Sequence, residues 1–294
     1  MKALKAKKQI LRTQISNART RNNERQLERE LSIFFSQLGD KVKSNLNEYW
    51  NDNLLIGQVD IITKPINDAH AEYYHILQKY IKREYKLGQD EALRLVKLTN
   101  KNYVFKAKRL RLNKVYNLFG TLRRAEDELF EKVFISSKRT LARVTSDINR
   151  ILVKGYTDGK GIDVVANMLT RRFDQLETWE AKRIARTEIH NAHTNAIHEK
   201  YRELGVEYTM WITARDDRVR GTDPKDEVSH VELDGEITRL DNEFSNGLKF
   251  PGDTNGELLE WINCRCSEAP YVIPYGYIAP DLPQFREDDL IKIK

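Results

Sequence analysis

The sequence predicts an α+β protein, with a long, mainly helical N-terminal half followed by a small α+β domain with a short antiparallel sheet. Three observations predict it. Up to about Arg150 the chain holds a single proline, Pro65, and few glycines, and its apolar residues recur at helical spacing. The stretch from Gly155 to Gly161 then places three glycines within seven residues, the chemistry of a turn. Beyond Gly205 the apolar period shortens to two.

Each element follows from local pattern. Leu27, Leu31, Phe34, Phe35 and Leu38 form a first apolar stripe, and Ala69, Tyr73, Ile76, Leu77, Tyr80 and Ile81 a second. Leu110, Val115, Leu118, Leu122, Leu129 and Val133 form a third. Breaks are expected near Gly39-Asp40, Asn51 to Gly57 and Gly88, giving about four to six helices in a bundle or arm over residues 1–154. The main boundary is placed at Gly155–Gly161. A short helix is expected from Asp163 to Phe173 and a longer one from Thr178, as N-cap, to Leu204, ended by Gly205. Its apolar stripe runs through Trp179, Ile184, Ala185, Ile189, Ala192, Ala196, Tyr201 and Leu204. Val206 to Thr213 alternates as a strand. His230 to Ile237 is expected as a second strand, broken at Asp234-Gly235, and Glu260 to Ala269 as a third that carries both cysteines. Residues 155–272 thus form the small domain. Pro270, Pro274, Pro280 and Pro283 lead into an extended C-terminal tail over 273–294.

Composition narrows the function classes. No run of about 18 uncharged apolar residues is present, so no membrane-spanning helix is expected. Charges recur too often in the first residues for the apolar core of a secretion signal. Cys264 and Cys266, one residue apart, are the only cysteines, which fits synthesis in a reducing cytosol. The formal net charge is +6, and residues 1–30 hold nine basic against three acidic residues, enough to account for the excess. Lys2, Lys5, Lys7, Lys8 and Arg12 open that segment, and Lys106, Lys108, Arg109, Arg111 and Lys114 form a second basic cluster. Both could contact duplex DNA without sequence preference, or an acidic capsid lining, or could be solvated helix faces.

Functional information concentrates between Ile184 and Cys266. Ile184-Ala185-Arg186-Thr187-Glu188 is followed by Asn191 and Asn195, then by Trp211 and Asp217-Arg218-Val219-Arg220. His230, the Leu233-Asp234-Gly235 turn, Phe250-Pro251-Gly252 and Asn263-Cys264-Arg265-Cys266 complete the series. This ordered string resembles the phage Mu F-like domain of phage head morphogenesis (minor head) proteins, over roughly Val153 to Val272. The segment Gly221 to Asp226 is longer and more charged than that pattern. The resemblance implies a low-copy, non-enzymatic capsid component, made in the host cytoplasm and recruited with the portal protein into the head interior. It also implies capsid or scaffold proteins as neighbours and packaged or ejected DNA within reach. A non-specific DNA escort protein and a metal-dependent nuclease are the alternatives.

No residue is assigned a catalytic role, and no cofactor is expected. Arg186, Thr187, Glu188, Trp211, Asp217, Arg218, Arg220, Gly235, Pro251, Gly252 and Asn263 read as the framework of the domain. Arg186 and Glu188, two apart on a helix, cannot pair with each other and are expected to bond another element, with the Asp217–Arg220 turn as the candidate. On a strand, Cys264 and Cys266 share one face, with Asn263 and Arg265 on the other. Arg265 could then reach Asp216, Asp217 or Glu188. The favoured reading of the cysteines is two small buried side chains, with His230 bonded to backbone. The alternative is zinc held by Cys264, Cys266 and His230, with Asp217 as a fourth ligand. A nuclease would draw on His230, Asp216, Asp217 and Asn263. Arg183, Arg186, His190 and His193 share a helix face, which reads as solvated with Glu180–Arg183 pairing, or else as a phosphate-facing stripe.

Overall fold

The computed structural model describes residues 18–50, 56–99 and 101–293, and their side chains except for 18, 56, 57 and 101–126. Among them α1 (Ala18–Tyr49), α2 (Ile56–Asp68), α3 (His70–Thr99) and α4 (Lys101–Thr157) make up the helical half. Next come α5 (Ile162–Gln175), a π-helical turn (Leu176–Glu180) and α6 (Ala181–Leu204). The α+β class and the long helical half are as predicted.

Gly39 and Gly88 do not break helices. A Cβ on Gly39 would lie 2.8 Å from the Phe173 ring, and one on Gly88 would lie 2.5 Å from the His193 carbonyl oxygen. Both sit inside helices as points of close approach, so the missing side chain serves packing rather than a turn. Thr178 is not an N-cap either. Its hydroxyl donates to the Asp174 carbonyl at 2.7 Å within the π turn, through which the helix runs on from α5 to α6. The π turn also breaks the 3.6-residue register. That is why Trp179, expected on the apolar stripe, is half exposed under the Arg183 guanidinium, 4.7 Å from its ring centroid.

The chain packs as two compact units, each discontinuous in sequence, unlike the contiguous segments suggested by composition. One comprises residues 23–80 and 126–186 and is helical. Its core draws on Leu27, Leu31, Phe35, Ile62, Tyr73, Val144, Ile148 and Phe173, all buried. Phe34, Phe35 and Tyr73 cluster with ring centroids 5.2–5.9 Å apart.

The other unit comprises residues 1–22, 81–125 and 187–294 and holds the sheet. Its strands are β1 (Tyr208–Ile212), β2 (Ile237–Arg239), β3 (Ser267–Tyr271), β4 (Tyr277–Ile278), β5 (Gln284–Phe285) and β6 (Ile291–Lys292). A single helical turn, α7 (Leu258–Trp261), precedes β3. The main sheet has order β3-β1-β2-β5 and is antiparallel throughout. β1 alternates as predicted, yet all five of its residues are buried. Tyr208, Met210 and Ile212 face Ala92, Leu95, Val96, Ile197 and Tyr201 from α3 and α6. Trp211 faces a second cluster of Leu233, Phe244, Leu248, Cys264 and Cys266, built mainly from loops.

Two expected strands are shorter than predicted. His230 begins a 3-10 turn (Val231–Leu233), and only Ile237–Arg239 pairs as β2. The Asp234 carboxylate stops the strand early, accepting the Thr213 N–H at 3.1 Å and the Arg215 guanidinium at 2.7 and 3.0 Å. The cysteines precede β3, in a loop where Asn263 has a φ of 53°. The proline-rich tail is extended but paired: β5 adds to the β2 edge with Phe285 buried, and β4 pairs with β6. The prolines stop it from folding back as helix.

Candidate functional site

The motif residues of the sheet-containing unit gather behind β1. Trp211, fully buried, stands edge-on to His230 with ring centroids 5.4 Å apart. His230 presents Nδ1 to both cysteine sulfurs, 3.7 Å from Cys264 Sγ and 3.5 Å from Cys266 Sγ. Its other nitrogen, Nε2, lies 2.8 Å from Glu260 Oε2, which also accepts from the Asn246 amide at 2.9 Å. The Cys266 N–H donates to Cys264 Sγ at 3.4 Å.

Electrostatics follow from these contacts. A hydrogen bond from Cys266, aided by His190 and His230, holds the Cys264 thiol pKa well below its usual value despite burial. The Cys266 thiol is pushed up by that hydrogen bond and by burial. Burial opposes charge on His230, but hydrogen bonds to Cys264 and Glu260 outweigh it and raise the pKa. A cavity of about 190 Å³ opens onto the cluster past Val219 and Arg220.

Surrounding motif residues brace the loops. Arg220 donates to the carbonyl oxygens of Glu260 and Ile262, while its own carbonyl accepts the His230 N–H at 2.9 Å. The Thr187 hydroxyl accepts the Asn263 N–H at 3.0 Å, tying α6 to the cysteine loop. Gly235, at φ 84°, turns the chain so that its N–H donates to the Trp211 carbonyl. At Pro251-Gly252 the backbone lies against α6. A Cβ on Gly252 would fall 2.7 Å from Asn191 Oδ1, and its φ of 84° also excludes most side chains.

Alternation is kept in the cysteine loop: both sulfurs point inward, Asn263 is exposed and Arg265 partly so. Arg265 reaches Asp216 as a two-pronged pair at 2.5 and 2.6 Å. That guanidinium holds the Asp216 carboxyl well below the usual carboxylate range, against burial and with help from the Arg218 N–H. Both partners are partly exposed, at 24% and 35%. The pair is therefore weaker than a fully buried one. Arg265→Ala is expected to destabilise by about 1–3 kcal/mol, and Arg218→Ala by less than about 1 kcal/mol. Urea unfolding midpoints check this, and equal effects would remove Arg265 from the framework.

Other expectations are redirected. Arg186 donates to Glu24 at 3.2 Å. Asp217 and Arg218 are exposed, so Asp217 lies outside the cysteine cluster, and Glu260 is the carboxylate beside it. Asp216, named in the nuclease set, pairs with Arg265. The Arg183–His193 face is not one surface stripe. Arg183 is 4.0 Å from Glu180, as the solvated reading expected, but His193 is largely covered, between Glu84 (2.9 Å) and Glu91 (3.6 Å). The side chains of Lys106, Lys108, Arg109, Arg111 and Lys114 lie outside those described, and Lys5, Lys7, Lys8 and Arg12 lie outside the described residues.

Sequence reasoning missed a second polar centre. His198, fully buried, has Nδ1 3.2 Å from both Glu268 oxygens and Nε2 3.3 Å from Asp241. Arg202 joins Asp241, and Phe250 packs on the imidazole at 4.6 Å. Its only trace in the sequence is a glutamate, Glu268, among the apolar residues of β3.

Residues 146–269 match the family model described as phage Mu protein F like protein. The match begins and ends within a few residues of the segment that the motif string marks out, and it covers less than half of the chain. No curated protein and no solved structure matches the chain.

Proposed function

We propose that this chain, which carries a region similar to phage Mu protein F, is a phage head morphogenesis protein: a minor capsid component that docks on the portal inside the head and reaches packaged DNA through its basic segments. The observation that carries the reading is the use made of the motif residues. Thr187, Arg220, Gly235, Gly252 and Arg265 bond or pack to one another's loops, and this supports a role in holding shape rather than in turning over a substrate. A body of this kind suits an assembly in which a fixed surface must meet a portal or capsid subunit.

The DNA contact is electrostatic in this reading. Affinity for duplex DNA, measured by anisotropy with two unrelated sequences, is expected to be equal for both and to fall steeply with salt. Removing residues 1–30 should lower the slope of log affinity against log salt by about 0.9 for every phosphate that those residues neutralise. A slope unchanged by the deletion would take DNA out of the proposal. Docking is tested by co-assembly: procapsids built with portal protein should retain the chain, and procapsids built without portal should not. Retention in both would move the partner from portal to shell. Incubation of DNA with the protein and magnesium, manganese or zinc should leave the DNA intact. Cleavage abolished by His230→Ala would favour the enzyme instead.

A further inference from the structure

We propose that Cys264, Cys266, His230 and His190 hold a zinc ion that clips α6, the 3-10 turn and the cysteine loop together. Among the described residues, His230, Cys264 and Cys266 form the one group of three metal-ligating side chains whose donor atoms lie within 4.8 Å of one another. A tetrahedral zinc with Zn–S near 2.3 Å and Zn–N near 2.0–2.1 Å separates sulfur and nitrogen ligands by about 3.6 Å. The two sulfurs stand 3.7 and 3.5 Å from His230 Nδ1, so ligand separations are already those of a shared ion.

Hydrogen bonding around the cluster points the same way. Both sulfurs converge on one Nδ1, which has a single in-plane lone pair when Nε2 donates to Glu260. A metal at that point would take the lone pair and replace both thiol protons. The Glu260–Nε2 contact at 2.8 Å is the outer partner that orients a metal-bound imidazole. The Cys266 N–H aimed at Cys264 Sγ is a bond that a thiolate accepts better than a thiol. Charge also balances: two thiolates offset the dication, and Glu260 offsets nearby Arg220.

His190 supplies the fourth position. It stands on α6 three residues after Thr187, whose hydroxyl holds Asn263 of the cysteine loop, and its buried Nε2 makes no hydrogen bond. A buried, unpartnered imidazole nitrogen is costly, and coordination removes that cost. The side chain has room because Gly252 faces it, where a Cβ would come within 3.4 Å of His190 Cδ2. The ligands are far apart in sequence and close segments that contain little regular structure, where a metal contributes most to folding. The cavity past Val219 and Arg220 gives the ion a path from solvent. Thiolate and imidazole together select zinc over magnesium or calcium. This inference does not depend on portal docking.

The test is elemental analysis of the full chain purified without added metal. Stoichiometric zinc is expected, lost in Cys264→Ser and Cys266→Ser. Glu260→Gln, which keeps every ligand, should lower zinc affinity by about 10–100-fold in a competition titration with a chelator. Cobalt added to apoprotein should produce the intense visible bands of a tetrahedral site with thiolate charge transfer, and His190→Ala should change those bands. The wild-type cobalt spectrum and Glu260→Gln carry the test if the cysteine variants do not fold. Wild-type protein that is folded by circular dichroism, contains no zinc and gives no tetrahedral cobalt spectrum would overturn the site. A cobalt spectrum untouched by His190→Ala would overturn the fourth ligand.

Discussion

Raising the pH from 6.5 to above 9 is expected to cost the sheet-containing unit much of its stability, through two histidines paired with carboxylates, His198 buried and His193 largely covered. His193 between Glu84 and Glu91, and His198 between Asp241 and Glu268, are each opposed by burial, yet the neighbouring carboxylates raise both pKa values to about 9. The unfolded chain titrates near 6.5, so a raised folded value means that the folded state binds the proton more tightly. The contribution is complete below pH 6.5, declines above it and is gone once the pH passes about 9. Linkage puts the upper bound at about 3 kcal/mol for each histidine. Asp241 is 44% exposed, and solvent screening reduces its share. The Glu268 carboxyl pKa is itself raised by burial despite His198, whereas that of Asp241 is held low by His198 and Arg202. Urea midpoints taken across this range should fall as pH rises, and His198→Gln should flatten the fall. A midpoint that stays level across the window would show that neither imidazolium supports the fold. His198→Ala should also cost about 1–3 kcal/mol at neutral pH, because the fully buried Glu268 loses its contact with the imidazole Nδ1.

In the helical unit, the largest single loss is expected from Glu180→Ala. Glu180 ends the π turn, is 2% exposed and accepts from Arg172 at 2.5 Å and Arg143 at 2.6 Å. Arg172 also holds Asp147 at 2.9 Å, so two carboxylates and two guanidinium groups form one network. Burial would raise the Glu180 pKa, but the hydrogen bonds from Arg143 and Arg172 overcome it and lower it. The stability it supplies is present above the usual carboxylate pKa and lost as pH falls through its lower folded value. Removing one member of a buried network costs about 3–5 kcal/mol. The lower end applies here, since Asp147 still pairs Arg172. Arg183→Ala is the control: that side chain is 4.0 Å from Glu180 and partly exposed, and about 1 kcal/mol or less is expected. Denaturation curves showing Glu180→Ala no worse than Arg183→Ala would remove the network from the stability of this unit.

The apolar stripes from Leu27 to Leu38 and from Ala69 to Ile81, β1, Gly205 as the end of α6 and the inward pairing of Cys264 with Cys266 were legible because they are local. A helix or strand states its buried face in its own period, and Gly205 states its positive φ in its own residue type. Arg265 was placed opposite the cysteines by alternation, and Asp216 was among its named partners. Misreadings arose where distant residues override local pattern. Gly39 and Gly88 read as breaks because only Phe173 and His193, far along the chain, show why a side chain is excluded. The π turn leaves no signature in residue type, so Trp179 was set on the wrong face.

By itself, then, the sequence determined the class, the helical half, the first strand and the family motif string, all of which depend on intervals of a few residues. Tertiary structure alone decided that His193 and His198 are set against carboxylates and that Glu260 rather than Asp217 stands behind His230. Those contacts join segments 30 or more residues apart, and nothing in local spacing encodes which charges are taken out of water together.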